Sequence, residues 1–401
     1  MRVLIGCLLC GALLCGDKGA AQELTDVKAL YDAHQWFKLR DALIGNSGSA
    51  LYRGAVAAAF NRIAEAEEEL KPLIQAGNDS EADHATQDQA SEWLSYMYVR
   101  NGRYQEAAAA MDDNSAMANM LASLPDQAVS KFEPCTIPCR MHQKKLFIPG
   151  SIAGKTVEFF IDSDANFSFV SESEARNLGL SIRDSDARVY GAAGHETKFR
   201  ISVADKLSVG NVDLKNVAFV VLPDTEEVFR RLPAGKQASL GLPVLLAFRS
   251  FRFHPESGDF DIGFASQAVN EGGAAICFDG VNPVAIMDFQ QQHLPVVLDT
   301  GAAVTEIWPV FAKRFGGIVN AGKASLEVEK AIGGKAQVSA KVIPELRLRV
   351  GGFDAVLRPA RVLLSQTTPD SGWYYGRLGL DALRLARRVT IDFEALTLTM
   401  Q

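Results

Sequence analysis

Two short segments of the chain have the residue types and the spacing of a pair of reactive carboxyl groups. Residues 157–170 read Val-Glu-Phe-Phe-Ile-Asp-Ser-Asp-Ala-Asn-Phe-Ser-Phe-Val, and residues 294–307 read Leu-Pro-Val-Val-Leu-Asp-Thr-Gly-Ala-Ala-Val-Thr-Glu-Ile. Each segment places one aspartate, Asp162 or Asp299, between an apolar run of strand character and a hydroxyl residue. One carboxyl group of a close pair can act as a base on water while the other, still protonated, acts as an acid.

The sequence around these segments repeats with nearly the same offset, which indicates an internal duplication. The helix signals at 175–179 and 312–316 have the same offset as the two aspartates, and Leu-Gly pairs follow at 240–241 and 378–379. Each half also ends in a predicted pair of strands, at 251–264 and 389–400. Two motifs in register, each followed by a helix and a later Leu-Gly, predict two similar lobes that contribute one aspartate each.

The composition of the chain changes near Pro134, from helical spacing to β-branched residues, glycines and short alternating runs. At 401 residues the chain is long enough for two or three domains. The predicted fold is therefore multidomain, an N-terminal all-α helical repeat or bundle followed by an all-β two-lobed fold.

With these motifs, residues 145–401 resemble the aspartic protease superfamily. The single lobes look like retropepsins, and their fusion in one chain is similar to pepsin-like enzymes. In that superfamily the two carboxyl groups lie about 3 Å apart. The resemblance implies an endopeptidase with Asp162 and Asp299 as the catalytic pair, an extended peptide or protein substrate in the cleft, and no cofactor. The predicted lobes are residues 145–265 and 276–401.

The neighbours of the two aspartates have expected supporting roles. The hydroxyls of Ser163 and Thr300 can hydrogen-bond across to the opposite lobe, and Gly301 permits a close backbone approach. The fourth motif position is Ala165 or Ala302, where pepsin-like enzymes usually have a hydroxyl. Since a lost hydrogen-bond donor no longer stabilises the charged carboxylates, we expect a pH optimum less acidic than that of pepsin.

Two glycine-containing turns lie where enzymes of this kind carry hairpin flaps over the substrate. In the first lobe the candidates are Tyr190, Gly191 and Ala192, and in the second lobe they are Ile332, Gly333 and Gly334. The alternative interpretation of each is an ordinary glycine-rich hairpin.

The first motif departs from the superfamily pattern at Asp164, which replaces a glycine. A third carboxyl group nearby should oppose ionisation of Asp162. Aspartate tolerates unusual backbone geometry better than most residues, so the lobe is expected to fold. A peptide-binding or regulatory protein without turnover is therefore the second hypothesis.

Residues 22–124 form the predicted helical region. A helix from Ser91, a turn at 101–103 and a second helix from Tyr104 are expected. The segment 36–43 matches 104–111 at an offset of two 34-residue periods, the repeat length of tetratricopeptide helix pairs. A tetratricopeptide-like array and an ordinary helical bundle both remain open, and either could dock a partner protein.

The N-terminal residues and the cysteines indicate export. Residues 1–21 contain an apolar run too short to span a bilayer, which favours a cleaved signal peptide and a periplasmic or secreted protein. A lipid anchor at Cys7 is the alternative if translation starts upstream. Residues 125–144 are predicted to be a linker, within which Cys135 and Cys139 could close a small disulfide loop.

The remaining composition argues against several classes of function. A net charge of −7 without a basic block argues against nucleic acid as a partner, and no later segment is predicted to cross a membrane. The six histidines are scattered without metal-ligand spacing, so no metal is expected. The sequence also lacks a Gly-x-Ser-x-Gly elbow and a phosphate-binding loop.

Overall fold

The computed structural model describes residues 26–45, 48–75, 81–111, 115–190, 196–264, 273–331, 334–366 and 368–401. The predicted signal peptide and Cys7 lie outside these residues. In the first part of the chain residues 26–32 are helical. The helices that follow are α1 (Trp36–Ala42), α2 (Ala50–Ala59), α3 (Ile63–Gln75), α4 (Glu81–Arg100), α5 (Tyr104–Met111) and α6 (Ala116–Ala122).

Local sequence signals account for the ends of these helices. Ser49 and Ser115 precede α2 and α6, and each side chain accepts a hydrogen bond from a backbone N–H of the first turn. Gly102 has a φ of +70° between α4 and α5, where the chain must reverse. The helix–turn–helix predicted around residues 101–103 is confirmed, although its first helix begins at Glu81 and not at Ser91.

The rest of the chain is built mainly from strands, as the change in composition predicted. Its strands are β1 (Ala128–Phe132), β2 (Cys135–Pro138), β3 (Arg140–His142), β4 (Lys145–Ile152), β5 (Lys155–Ile161), β6 (Ser168–Ser171), β7 (Arg183–Tyr190), β8 (Glu196–Ala204), β9 (Leu207–Val209), β10 (Val212–Lys215), β11 (Val217–Leu222), β12 (Ala238–Leu240), β13 (Ser250–His254), β14 (Asp259–Ile262), β15 (Ala274–Asp279), β16 (Asn282–Phe289), β17 (Gln292–Leu298), β18 (Glu306–Ile307), β19 (Lys323–Ala331), β20 (Gly334–Ile343), β21 (Leu346–Val350), β22 (Phe353–Leu357), β23 (Ala360–Leu363), β24 (Gly376–Leu378), β25 (Val389–Asp392) and β26 (Thr397–Met400). The helices among them are α7 (Glu172–Leu178), α8 (Leu242–Ala247), α9 (Pro309–Arg314), α10 (Gly316–Asn320) and α11 (Leu380–Leu383), with a 3₁₀ turn at Pro369–Gly372.

The two lobes have matching topologies. The first lobe is a sheet in the order β1-β10-β9-β4-β5-β12-β6-β11-β8-β7, with β3 paired to β4. In the second lobe β16 and β17 pair as β4 and β5 do, and β24 lies parallel to β17 as β12 lies parallel to β5. The strand bounds of β16 and β17 are those of β4 and β5 displaced by the offset between the two aspartates. The predicted duplication is confirmed at the level of the fold.

A sheet shared by both halves joins the lobes. The terminal strand pairs β13–β14 and β25–β26 associate through β13 and β25, with Phe251 opposite Ile391. The strand β15 extends this sheet at one side and β2 at the other. Phe251 and Ile391 are buried, so the sheet contributes apolar surface to the core as well as backbone hydrogen bonds.

The linker predicted at 125–144 is instead folded into the sheets. The strand β1 pairs with β10, β2 pairs with β14, and β3 pairs with β4. Cys135 and Cys139 are free thiols, so the expected disulfide is wrong. Four residues of extended strand span about 13 Å, whereas the two Cα atoms of a disulfide lie about 6 Å apart.

The helical region packs on both lobes. Trp36 Nε1 donates a hydrogen bond to the hydroxyl of Tyr374 in the second lobe (3.2 Å). The ring of Tyr104 stacks on Phe167 of the first lobe, with ring centroids 5.7 Å apart. The buried apolar residues of the helices form one continuous cluster with residues of both lobes. Among the described residues, no helix combines the length and the apolar character needed to cross a membrane.

Candidate active site

Asp162 and Asp299 follow two equivalent strands, β5 and β17. The N–H of Asp162 donates to the carbonyl oxygen of Leu240 (3.0 Å), and the N–H of Asp299 donates to that of Leu378 (3.1 Å). These leucines end β12 and β24, the strands that lie parallel to β5 and β17. The repeated Leu-Gly pairs therefore hold the two aspartates at equivalent places.

The hydroxyl residues that follow the aspartates connect the two lobes. Ser163 donates its backbone N–H to the Oγ1 of Thr300 (3.0 Å), and Thr300 donates its N–H to the Oγ of Ser163 (3.0 Å). The Ser163 hydroxyl also donates to the carbonyl oxygen of Leu298 (2.6 Å). Both side chains are fully buried, so water does not compete for these hydrogen bonds and the two motif turns are fixed against each other.

Gly301 lies directly against the opposing aspartate. A Cβ atom at this position would come within 2.5 Å of the carboxyl atoms of Asp162. Only glycine permits so close an approach of the backbone. This contact places the carboxyl group of the first lobe beside the motif turn of the second, so the two aspartates occupy one site.

A hairpin of each lobe is present where a flap was expected. The strands β7 and β8 form the first hairpin, and β19 and β20 form the second. Tyr190 ends β7 and Gly334 begins β20, whereas Gly191, Ala192, Ile332 and Gly333 lie outside the described residues. Lys335 Nζ lies 2.8 Å from Glu227 Oε1, so the second hairpin reaches across to the first lobe.

Comparison with known proteins agrees with this geometry. Residues 148–244, which include Asp162 and most of the first lobe, match the family described as aspartyl protease. The first lobe is thus similar in sequence to the aspartyl protease family. No significant match is found among curated proteins.

Two solved structures are similar to parts of the chain. One is a retropepsin-like aspartic protease from Rickettsia conorii, at 18% identity and a TM-score of 0.26, covering 35% of this chain and 96% of that one. The other is basic 7S globulin from soybean, at 10% identity and a TM-score of 0.40, covering 66% of this chain and 94% of that one.

In this site, the carboxyl group of Asp299 receives several hydrogen bonds and faces a cation. Its Oδ1 accepts the backbone N–H groups of Gly301 and Ala302, both at 2.8 Å. Its Oδ2 lies 3.6 Å from Arg377 Nε, and Arg377 also donates to Glu306 Oε2 (2.8 Å). Asp299 is only 6% exposed, so these donors and the positive charge lie directly against a buried carboxyl group.

Lys145 brings a second cation to the site. It begins β4, and its Nζ lies 3.4 Å from the carbonyl oxygen of Gly301 and 4.2 Å from the ring centroid of Phe160. Burial lowers the pKa of the Lys145 ammonium, while the charges of Asp162 and Asp299 act in the opposite direction. A cation shared between both lobes partly offsets the negative charge of the two aspartates.

The surroundings of Asp162 favour its protonated form. Burial raises the pKa of Asp162 to about 7, and the negative charge of Asp299 adds to this effect. Lys145, the N–H of Asp164 and Arg377 oppose it less strongly. Because the pKa of one carboxyl group is raised beside another that accepts two backbone hydrogen bonds, the site can hold an acid and a base together.

Asp164 adds a third carboxyl group beside this pair. Its Oδ1 is buried and has no hydrogen-bond partner in the described structure. Burial raises the pKa of Asp164 well above its usual range, and the charge of Asp299 raises it further. The motif turn of the first lobe keeps its hydrogen bonds to the second lobe, although Asp164 stands where the superfamily motif has glycine. A neutral Asp164 would not add a third negative charge.

Sequence reasoning missed Lys145 and Arg377. Arg377 directly precedes the Leu378–Gly379 pair, so that repeat could have indicated it. Lys145 stands 17 residues before Asp162 and carries no local signal. Its proximity to Gly301 follows from the packing of the two lobes.

Proposed function

We propose that the protein is an aspartic peptidase that hydrolyses peptide bonds with a water molecule activated by Asp162 and Asp299. The observation that supports this most directly is the pair of carboxyl groups, Asp299 buried and Asp162 half-buried, in unequal surroundings. Asp299 accepts two backbone N–H groups beside Arg377, whereas burial raises the pKa of Asp162. The match of residues 148–244 to the aspartyl protease family also supports a protease-type function.

The unequal surroundings suggest a role for each carboxyl group. Ionised Asp299 removes a proton from water, and the resulting oxygen nucleophile attacks the carbonyl carbon of the peptide. Protonated Asp162 donates its proton to the carbonyl oxygen, which gives a neutral tetrahedral intermediate. Its collapse breaks the C–N bond while a carboxyl proton passes to the leaving amine and a hydroxyl proton returns to the pair. The protons balance without a cofactor.

The substrate class follows from the walls of the site. The hairpins β7–β8 and β19–β20 belong to opposite lobes, and the ion pair of Lys335 with Glu227 links one hairpin to the facing lobe. Walls of this kind suit an extended peptide, whose backbone can hydrogen-bond to strands on either side.

Hydrolysis of a mixed peptide library between pH 3 and pH 8 tests the proposal. The wild-type protein should cleave peptides, and Asp299→Asn or Asp162→Asn should lower the rate by at least about a thousandfold, since general acid–base groups contribute on that order. Asp354→Asn is the matched control, because the side chain of Asp354 is 80% exposed on β22. Absence of cleavage by the folded wild-type protein would overturn the proposal in favour of peptide binding without turnover.

We also propose that the protein is exported, on the strength of the apolar run within residues 1–21. Expression of the full-length chain followed by N-terminal sequencing tests this. A mature terminus near Gln22 is expected. A chain that retains Met1 in the cytoplasm would contradict export.

A further inference from the structure

The duplication makes the two ends of the cleft directly comparable. At each end of the cleft, the turn that follows the aspartate motif of one lobe lies beside a two-residue turn of the other lobe. Lys145 shows this proximity, because it follows the turn at 143–144 and its Nζ reaches the carbonyl oxygen of Gly301 in the opposite motif. The equivalent turn of the second lobe is at 280–281, between β15 and β16. The two lobes alone therefore form the two ends of the cleft from equivalent turns.

Helices cover one of these ends, which we call the closed end. There the ring of Tyr104 stacks on Phe167, in the motif turn of the first lobe, at 5.7 Å between centroids. The fully buried Arg100 donates its Nη1 to the carbonyl oxygen of Gly280 (2.6 Å), and its guanidinium carbon lies 4.7 Å from the ring centroid of Phe278.

The helical region also contacts the second lobe and the first hairpin beside the closed end. His34 stacks on Trp373 of the second lobe, with ring centroids 3.6 Å apart and planes 15° from parallel. Its Nδ1 lies 2.8 Å from Asp279 Oδ2, which also accepts the hydroxyl of Tyr374 (2.6 Å). The helix α6 packs against β7 of the first hairpin. The helical region thus touches both lobes and one hairpin at the same end.

At the opposite end, which we call the open end, the described residues border a surface cavity instead. The counterparts of Phe167, Phe278 and residue 281, displaced by the offset of the duplication, are Val304, Met141 and Lys144. These three residues line a surface cavity of about 220 Å³. The same positions are packed under aromatic and arginine side chains at one end and border open space at the other.

The cavity at the open end is basic. Its charged lining residues are Lys144, Arg358, Arg361, Arg384 and Asp381. Arg358 and Arg361 are ion-paired with Glu345 and Glu327, so Lys144 and Arg384 are the cations considered for the substrate. Asp381 accepts hydrogen bonds from the N–H and hydroxyl of Thr305, so its carboxylate is already engaged. Lys144 and Arg384 are both exposed. Carboxylate groups of a bound peptide would complement this surface.

We propose that the cleft is one-ended, that is, open to substrate at one end only. The helical region blocks the subsites beyond the closed end. The bound peptide extends out of the cleft through the basic open end, where acidic residues are preferred. This inference rests on the proposed peptidase function and narrows it. The protein then removes short pieces from one terminus of a peptide. This differs from the endopeptidase activity that the superfamily resemblance implies, which cuts at internal positions.

The first test is a length series made from one cleaved library peptide. Six-residue polar extensions are added to either terminus, and kcat/KM is measured for cleavage at the original bond. Extension on one side should lower kcat/KM at least tenfold, and extension on the other side should change it less than twofold. Equal tolerance of both extensions, with cleavage still lost in Asp299→Asn, would overturn the one-ended cleft and leave the peptidase function intact.

The second test reverses charge at the open end. The double variant Lys144→Glu with Arg384→Glu should lose about tenfold in kcat/KM for peptides with Asp or Glu on the tolerated side and gain for Lys or Arg, an effect that weakens in 0.5 M salt. The control carries Lys38→Glu with Lys215→Glu, two exposed residues that do not line the cavity. An unchanged preference for acidic peptides in the first variant would refute the assignment of the open end.

A binding measurement separates failure of this inference from failure of the peptidase function. Fluorescent peptides with acidic, neutral or basic residues are titrated into Asp299→Asn, with and without the Lys144/Arg384 charge reversal. Binding of acidic peptides that charge reversal removes would support the open end even if the wild-type protein cleaves nothing. Equal binding of all three peptides would contradict it.

Discussion

Ser163 and Thr300 exchange hydrogen bonds across the two lobes, each hydroxyl accepting the backbone N–H of the other residue at 3.0 Å. We expect Thr300→Val to destabilise the protein by about 1–3 kcal/mol, because it leaves the buried N–H of Ser163 without its acceptor. It should also reduce activity by displacing the two aspartates. Chemical denaturation and peptide hydrolysis measure the two effects. Thr300→Ser is the matched control, since the first lobe has serine at this place; a loss as large as that of Thr300→Val would contradict the role of the hydroxyl.

The pH profile of hydrolysis should have its alkaline limb near pH 7. Burial and Asp299 raise the pKa of Asp162 to about 7, so Asp162 keeps its proton below that pH and loses it above. Since the proposed mechanism needs this proton, kcat/KM falls as the pH rises through 7. Activity should therefore extend to pH values well above those typical of pepsin. A measured optimum below about pH 3 would contradict this prediction.

Lys145 should set the position of this alkaline limb. Its positive charge lowers the pKa of Asp162, so Lys145→Met should raise that pKa and move the limb upward by roughly one pH unit. Lys145→Arg preserves the charge and should leave the limb within a few tenths of a unit of its wild-type position. A loss of activity in Lys145→Met with an unshifted limb would indicate a purely structural role.

Asp164 should make the protein less stable as the pH rises. Burial raises its pKa above the value of about 3.9 expected in the unfolded chain, so the folded state binds the proton more tightly. Folding stability is then fully present below pH 4 and is lost as the pH rises toward the folded-state pKa. Asp164→Asn removes this loss, so its gain in the free energy of unfolding should be near zero at pH 4 and clearly larger at pH 8. Thermal melts at both pH values, with the exposed Asp354→Asn as control, measure it; a gain independent of pH would refute the explanation.

The helical region should be required for folding of the lobes. Trp36 is 2% exposed and bonds to the fully buried Tyr374, so Trp36→Ala should lower the free energy of unfolding by about 3–5 kcal/mol. Ile44→Ala, at a residue 77% exposed, is the control and should have little effect. A fragment starting at residue 125 would expose Phe167 and Tyr374 and should aggregate. A stable, active fragment would show instead that the helices are a separable docking or regulatory arm.

The repeated motif indicated much of the candidate site from the sequence alone. The apolar run before each aspartate, the hydroxyl after it and the later Leu-Gly pair are local features with a constant offset. In the structure Leu240 and Leu378 accept the N–H groups of the two aspartates, as a duplicated architecture requires. The change of composition near Pro134 likewise separated the helical part from the β-rich part, because helices and strands have different apolar periods.

Other expectations failed where the outcome depended on partners distant in the sequence. The spacing of Cys135 and Cys139 is compatible with a small loop, but β14 pairs with the segment and keeps it extended. Residues 125–144 have the composition of a linker, yet β1 and β3 each find a strand of the first lobe to pair with.

Only the tertiary structure brought Lys145 and Arg377 to the carboxyl pair and Arg100 and Tyr104 to the closed end. Arg100 contacts Gly280, which lies 180 residues away. Short-range patterns determine which strands, turns and helices form, because they reflect backbone preference and the side on which apolar residues lie. They carry no information on which charged or aromatic side chain will face a particular turn. That choice is made when the lobes and helices bury their apolar surfaces against one another.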